Sequence, residues 1–345
     1  MKVILRKQHN NTLLFTCIVT LTFICLLTSV NAKAAGDPLV EKKKTYSKSY
    51  TVSSNDKISL ENQFGELKIN IWDKNEVKAD VTITAEASTE EKAQLILDGI
   101  SIEDGKSGNG VYFKTKFTKD RNQKWEKGEK QGFHIDYVVY VPARNPLTAK
   151  NQFGPMSIGD FGGEALLESK FGSLTTGKLT NVNKVLIEFG KGTIGGISNG
   201  SLVVKFSKIA IDNLDGSVNA VFEYCDVAKL HIDNDTRQLT VKNSFSNLYL
   251  DVNTNISASF DISTSFGDLK NKTNFDIKEE GNDDDNRHGP RFNKRYTGKT
   301  GNGSIAMKIK SDYGQVTLGH NLNININKDD KKDKEKNKDK KTVKI

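Results

Sequence analysis

Between Leu202 and Ile211 the chain reads Leu-Val-Val-Lys-Phe-Ser-Lys-Ile-Ala-Ile. Leu202, Val204 and Phe206 alternate with their neighbours, so they share one face of a β-strand. Ile209 and Ile211 alternate as well. The step from Phe206 to Ile209 is odd, however, and in a straight strand it would place those two on opposite faces. If both point inward, the chain bends between them. The small residue after the aromatic is the natural place for that corner, because glycine tolerates positive φ and a bulge. The same break in parity falls at Phe189/Ile194, Phe245/Leu248 and Phe266/Leu269.

The pattern recurs: an aromatic, then Gly or another small residue, one further residue, then an aliphatic alternation. It stands at Phe64-Gly65, Phe153-Gly154, Phe171-Gly172, Phe189-Gly190, Phe206-Ser207, Phe266-Gly267 and Tyr313-Gly314, with looser copies at Tyr224 and Phe245. From Phe171 to Phe266 the aromatics are spaced by 18, 17, 18, 21 and 21 residues. That period suits one coil of a parallel β-solenoid whose neighbours stack because no coil can bury its own inner face. Six or seven coils at the spacing of adjacent strands would make a rod of roughly 30 Å. The aromatics are expected to form a column within the core, one per coil. Asn and Asp at Asn181, Asn199, Asp212-Asn213, Asp233-Asn234-Asp235 and Asn253 to Asn255 suit the turns.

Residues 45–145 read differently, with longer strands at Thr51–Leu60, Val77–Ala85, Val111–Phe117 and Phe133–Val141. A helix is predicted from Thr89 to Asp98, opened by a Ser88-x-x-Glu91 capping box. This part is expected to be a β-sandwich-like entry region that caps the solenoid over 146–320, since an open coil exposes an edge. Residues 118–132 read as a charged hairpin tip, 279–303 as a polar loop, and 328–345 as a disordered Lys-rich tail.

The first 34 residues change the picture. Lys2, Arg6 and Lys7 precede the uncharged, mostly apolar run Leu13–Val30, and small residues follow at Ala32 and Ala34. This is the pattern of a secretory signal cleaved after Ala32 or Ala34, leaving no integral membrane span. An uncleaved anchor is the alternative, the run being near the lower length limit for a span. Lipidation at Cys25 would follow a poor small-residue box. Export to the periplasm or the cell surface is therefore expected. Cys225 is then the only mature cysteine, which excludes an intramolecular disulfide and a multi-cysteine metal site.

The formal net charge is +8. Residues 1–34 carry four of those charges and residues 328–345, with nine Lys against five acids, carry another four. The body between them is neutral, so its charge gives no support to nucleic acid as a partner.

No catalytic constellation is found. Asp212, Asp215, Asp226, Asp233, Asp235 and Asp251 fall mostly in turns, where Asp is favoured locally. Asp283 to Asp285 with Asn286 and His288 match no calcium loop. His134, His231, His288 and His320 form no ligand pair. No nucleophile elbow or phosphate-binding loop is present. Trp125, between Lys124 and Lys127, is the aromatic expected to be exposed. No cofactor is implied.

Tyr137-Val138-Val139-Tyr140-Val141-Pro142-Ala143 runs into Asn151-Gln152-Phe153-Gly154 and the aromatic-Gly coils, and the chain closes with Gly301-Asn302-Gly303 and Tyr313-Gly314-Gln315-Val316. Over roughly residues 50–320 this resembles the putative-adhesin β-strand-repeat family, a domain of unknown function related to the head-GIN putative autotransporter adhesins of Gram-negative cell envelopes. The resemblance implies an exported parallel β-solenoid and brings no catalytic residues. The sequence departs from the pattern where Ser or Cys replaces Gly and where the acidic run at 279–290 interrupts the last coils. Three functions stay open: a non-enzymatic adhesin or binding protein for a glycan or envelope protein, a periplasmic structural or envelope-stress regulatory protein, and a polysaccharide-degrading β-helix.

Overall fold

The computed structural model describes residues 38–108, 110–118, 130–281 and 292–327. The export segment 1–34, Trp125 in the charged tip, the run from Asp283 to His288 and the tail 328–345 lie outside the described residues. The N-terminal part holds β1 (Val40–Thr51), β2 (Lys57–Gln63), β3 (Leu67–Trp72), β4 (Glu76–Ala87), helix α1 (Glu90–Asp98), β5 (Ile100–Ser107), β6 (Gly110–Phe117) and β7 (Gly132–Pro142). Then come β8 (Leu147–Gln152), β9 (Met156–Ile158), β10 (Phe161–Lys170), β11 (Ser173–Glu188), β12 (Lys191–Lys205), β13 (Lys208–Glu223) and β14 (Val227–Ser244). The C-terminal part holds β15 (Asn247–Val252), β16 (Ala258–Ser265), β17 (Leu269–Asn271), β18 (Ile277–Glu279), β19 (Asn293–Lys299), β20 (Ile305–Asp312) and β21 (Gln315–Gly319).

The chain is nearly all β, as expected, but the sheet is mixed and not closed. Two parallel ladders run through the middle. One passes β6–β2–β8–β10–β11–β12–β13–β14–β20–β16. The other passes β7–β3–β9–β11–β12–β13–β14–β15–β21–β17. Antiparallel pairs finish both ends: β1–β4–β7 and β5–β6 at one, β16–β19 and β18–β19 at the other. A hairpin or an antiparallel strand is how a parallel stack stops without leaving a long bare edge.

Spatial order departs from chain order in two places. β2 and β3 lie directly against β8 and β9, so the rung of Phe64 neighbours that of Phe153. β20 and β21 sit between β14/β15 and β16/β17, so the last of the described strands are not the outermost. Stacking in sequence order, which the even spacing from Phe171 to Phe266 suggested, therefore fails at its C-terminal end.

The corner differs from expectation in a more consequential way. All nine repeat aromatics have φ between 49° and 62°, whereas no positive φ is found at Gly65, Gly154, Gly172, Gly190, Gly267 or Gly314. The aromatic itself takes the left-handed conformation, which flips its ring outward. Val204 and Ile209 point into the core, and Phe206, between them, does not. The expected core column of aromatics is thus wrong; the rings are 37–52% exposed. The corner still continues the ladder. The amide of each aromatic donates to the neighbouring rung, as in Phe189 to the Lys205 carbonyl (3.1 Å) and Phe206 to the Glu223 carbonyl (2.9 Å).

The following glycine has another reason to be there. A Cβ at Gly172 would lie 2.0 Å from the Gly154 carbonyl oxygen, and one at Gly190 would lie 1.9 Å from that of Gly172. Close approach of stacked backbones demands the missing side chain. Three successive rungs manage with Ser207, Cys225 and Ser246. Ser207 Oγ accepts from the Gly190 amide (3.0 Å) and donates to the Lys205 carbonyl (2.6 Å). Ser246 Oγ accepts from the Cys225 amide (2.8 Å) and donates to the Ser244 carbonyl (2.8 Å). A small polar side chain thus bridges rungs that glycine lets touch.

A single hydrophobic cluster runs from Val52 to Leu318 through both the N-terminal part and the stack. Other expectations need local correction. The strand proposed at Thr51–Leu60 is interrupted, β1 ending at Thr51 and β2 starting at Lys57. The helix is capped by Thr89 rather than Ser88, its Oγ accepting from the Lys92 amide (3.2 Å). The polar stretch 279–303 contains β19, which pairs with β16.

Candidate functional site: an exposed aromatic ladder

The outward corners place the rings in one file: Phe64, Phe153, Phe171, Phe189, Phe206, Tyr224, Phe245, Tyr313 and Phe266. Successive centroids are 4.7–5.0 Å apart and the planes lie within 8° of parallel. The spacing is that of the β-ladder beneath. Eight such steps give the file a contour of about 40 Å. Each inner ring is covered on both faces by its neighbours, so its exposed atoms are its edge. Tyr224 and Tyr313 add two hydroxyls to an otherwise apolar ridge.

The two ends differ. Phe64 is met by Phe133 (5.3 Å, 65°) and Phe117 (5.9 Å, 86°), and these three rings with Leu95, Ile96 and Ile100 line an open cavity of about 400 Å³. Phe266 is met by Phe292 at 5.0 Å and 28°. These extra aromatics were not among the predicted residues, because they do not sit before a small residue at the coil period. Their signal was weaker: Phe117 and Phe133 end and begin strands that the sequence did predict.

Beneath the ladder, two residues before each aromatic, a buried row holds the corner. At three rungs it is Asn. Asn62 Nδ2 donates to the Ile135 carbonyl (2.9 Å), Asn151 Nδ2 to the Gly65 (3.0 Å) and Pro155 (2.9 Å) carbonyls, and Asn243 Nδ2 to the Ser246 carbonyl (3.0 Å). In the middle of the stack Ile187, Val204 and Phe222 take this position and are fully buried. The alternation rule marks Val204 of this row as inward, while nothing in the sequence singles out Asn62, Asn151 and Asn243 as buried.

One flank of the ladder is charge-neutral by internal pairing. Lys170 meets Glu188 (2.9 Å) and Lys205 meets Glu223 (2.9 Å). Hydrogen bonding to Glu223, with the charge attraction behind it, raises the Lys205 ammonium pKa. On the other flank Lys191 and Lys208 line a shallow groove with Phe206, Asp226, Ile326 and Asn327.

The predicted acids do not converge. Asp212, Asp226 and Asp235 are exposed. Asp251 is buried against Lys229 (3.5 Å) and His231 (3.4 Å) and accepts from the Leu322 amide (3.0 Å), so it ties the C-terminal segment down. Asp215 accepts from Ser198 Oγ (3.0 Å) and meets Lys178 (3.4 Å). Burial works to raise its pKa, but these two partners prevail and lower it. The Cys225 thiol is 1% exposed, and burial pushes its pKa up. His320 Nδ1 lies 2.8 Å from the Val252 carbonyl, and His134 pairs with Asp136 at 3.6 Å. Trp72 packs on Tyr140 (5.1 Å) and donates to the Glu76 carbonyl (2.7 Å). Among the described residues no group of three or more His, Cys, Asp or Glu is placed to hold a metal ion. Nor is any helix among them long and apolar enough to cross a membrane.

No protein-family profile matches this sequence, and no curated protein does. Solved structures are similar at a low level. A putative cell adhesion protein from Clostridium sporogenes shares 11% identity, with 81% of this chain and 100% of that chain covered and a TM-score of 0.23. A putative adhesin from Bacteroides fragilis shares 12%, covering 80% of this chain and 98% of its own, with a TM-score of 0.31. A putative lipid binding protein from Parabacteroides distasonis shares 10%, covering 80% and 96%, with a TM-score of 0.29. Those descriptions belong to those proteins.

Proposed function

We propose that this chain is an exported, non-enzymatic binding protein whose aromatic ladder is its contact surface, and that the partner presents apolar groups. In the same reading residues 1–34 are a signal removed on export. Residues 45–145 are the entry region, and 146–320 form a β-solenoid body with the ladder along one corner. The observation that carries the proposal is nine half-exposed aromatics at left-handed positions. A left-handed corner costs a residue with a Cβ about 1–2 kcal/mol, and Gly or Asn would take it more cheaply. A stacked aromatic contact returns about 0.5–1.5 kcal/mol, so each rung is close to neutral in stability. A bare apolar ridge is what remains, and ridges of this extent mark contact surfaces.

The chemistry of the ridge also decides between partners. Sugars bind aromatics through ring faces, and here neighbouring rings occupy the faces. An apolar partner needs only the edges. A glycan or polar envelope protein is therefore the less favoured partner, and a structural or regulatory role in the periplasm has no surface feature of its own here.

The test is adsorption to an octadecanethiol monolayer and to immobilised polysaccharides, followed by surface plasmon resonance. Wild-type protein is compared with a Phe189→Asn/Phe206→Asn/Tyr224→Asn variant, since Asn keeps the left-handed corner. Adsorption to the monolayer that the variant loses is expected. Saturable polysaccharide binding lost in the variant would reverse the assignment of partner, and equal adsorption of both proteins would remove the ladder as the surface. Protease treatment of intact cells, with a tag before residue 328, reads the location.

A further inference from the structure

We infer that the ladder is a two-fold interface: a second copy of this chain lies antiparallel across it, ring edges against ring edges, with the dyad between Phe189 and Phe206. This rests on the ladder being an apolar contact surface and names the partner that presents the apolar groups.

The first observation is the extent of the ridge. From Phe171 to Phe266 the planes of successive rings differ by only 1–3°, so the exposed edges keep nearly one direction. Half-exposed aromatic rings offer on the order of 100 Å² each, and the rings from Phe64 to Tyr313 that overlap in this arrangement offer about 800 Å². A stable protein interface buries about 800 Å² per partner. A second copy supplies the same apolar edges in return, as a self-complementary contact requires.

The second observation is the charge beside the rings, and it selects the arrangement. The residue before each aromatic is half-exposed along one flank, and the β-ladder sets these residues in register: Lys170 on Glu188, Glu188 on Lys205, Lys205 on Glu223. The sign therefore alternates over four consecutive rungs. A dyad perpendicular to the ridge lays this flank against itself in reverse order. With the dyad between Phe189 and Phe206, Lys170 comes opposite the partner's Glu223, and Glu188 opposite the partner's Lys205. All four charges gain a neighbour of opposite sign. Further out in the same row, Gln152 comes opposite the partner's Ser244 and Gln63 opposite the partner's Asp312, and both are pairs of donor and acceptor. A slip of one rung puts Glu188 opposite the partner's Glu223, or Lys170 opposite the partner's Lys205. Facing like charges are costly, so the alternation fixes the register while the rings supply the affinity. Parallel copies would set this flank against the other one and forfeit the match.

The other flank is not matched in this way. Lys191 comes opposite the partner's Lys208 there, with Asp226 in the same groove, and Ile326 and Asn327 already line it. The two copies therefore close on the flank of alternating charge and leave the groove open to water.

The experiment is sedimentation equilibrium on protein running from residue 38 to 345. This keeps the entire described core, Val52 to Leu318, while omitting the apolar run 13–30 that would associate by itself. A dimer is expected at about 10 μM protein, the weak end for an interface of this size. Phe189→Asn/Phe206→Asn/Tyr224→Asn should be monomeric at that concentration. Glu188→Lys and Lys205→Glu each place like charges across the dyad, and each should weaken dimerisation at least about tenfold. Mixed in equal amounts, these two variants should dimerise as the wild type does, because every like pair becomes an opposite pair in the heterodimer. Circular dichroism checks that each variant keeps its β structure, and recovery on mixing reads the register independently of any loss of stability. A wild-type monomer, an assembly larger than a dimer, a dimer untouched by the ring substitutions, or mixing without recovery overturns the inference. A wild-type monomer with the ring-dependent octadecanethiol adsorption intact removes the second copy and leaves the apolar contact surface standing; loss of both removes both.

Discussion

At Gly172 any side chain meets the Gly154 carbonyl, and at Ser207 a hydroxyl takes up a hydrogen bond that glycine would leave to backbone packing. These two positions make opposite demands. Gly172→Ala is expected to destabilise by about 2–4 kcal/mol in urea unfolding, because the Cβ must push two rungs apart. Ser207→Ala leaves the half-buried Gly190 amide without its acceptor and is expected to cost about 1 kcal/mol. Cys225 occupies the same row, and its thiol is buried with its pKa raised. At any given pH fewer of its molecules are thiolate than in an exposed cysteine. Alkylation by iodoacetamide at pH 8.5 should therefore be slow in the native protein and fast in denaturant. Equal rates would show that the corner opens.

Along an element, the question is how a run of strand gets past a corner without losing its ladder. The aromatic does this by going left-handed while its amide still bonds the next rung, as Phe206 does to the Glu223 carbonyl (2.9 Å). Phe206→Asn keeps that backbone and gives up two stacking contacts. The expected cost is no more than about 2 kcal/mol, since Asn relieves part of the left-handed penalty. Phe206→Val should cost more although it stays apolar, because a β-branched residue resists positive φ. Unfolding of the two variants side by side reads the corner separately from the ring. The helix is capped by Thr89 and not by the Ser88-x-x-Glu91 box, since Lys92 stands at the third helical position, and Thr89→Ala should lose about 1 kcal/mol.

At the scale of the molecule, the order of rungs decides which end of the chain matters. β20 and β21 come last in the sequence among the described strands but lie inside the stack, against β14 and β15 on one side and β16 and β17 on the other. Truncation at Asn302 should remove an internal rung and unfold the C-terminal third cooperatively, which loss of amide protection by hydrogen exchange over Val227–Ser265 would register. Fraying confined to the residues next to the cut would mean the rungs are independent. The N-terminal end carries a pH dependence. Tyr50 donates to Asp104, and that hydrogen bond, with burial and the negative charge, pushes its pKa up to about 12. Protonated Tyr50 is thus favoured by the fold. Its contribution is fully present below pH 10, the ordinary tyrosine value, and is lost as pH rises through about 12. Unfolding between those values should shift to the wild-type's disadvantage relative to Tyr50→Phe, read by circular dichroism.

What the sequence determined by itself is the local grammar. Period-two alternation settled the β class and most inward positions, because a strand has only two faces and the apolar one must be buried. The odd step from Phe206 to Ile209 required a bend, and the recurring aromatic motif identified nine equivalent corners, six of which, from Phe171 to Phe266, are spaced by 17 to 21 residues. The same reasoning placed those aromatics in the core, since hydrophobicity is a property of the residue while the direction of its side chain at a corner is set by φ. Only the tertiary structure decided that φ, by letting the backbones of adjacent rungs close to the distance at which Gly172 can have no Cβ. Only it decided that Tyr313 lies between Phe245 and Phe266, because pairing obeys the ladders in space and not the order of the chain. The placement of Ile326 and Asn327 beside Phe206 follows from the same packing: Asp251 and the Leu322 amide hold the last described segment against the stack, a contact between residues 71 apart that no periodicity could express.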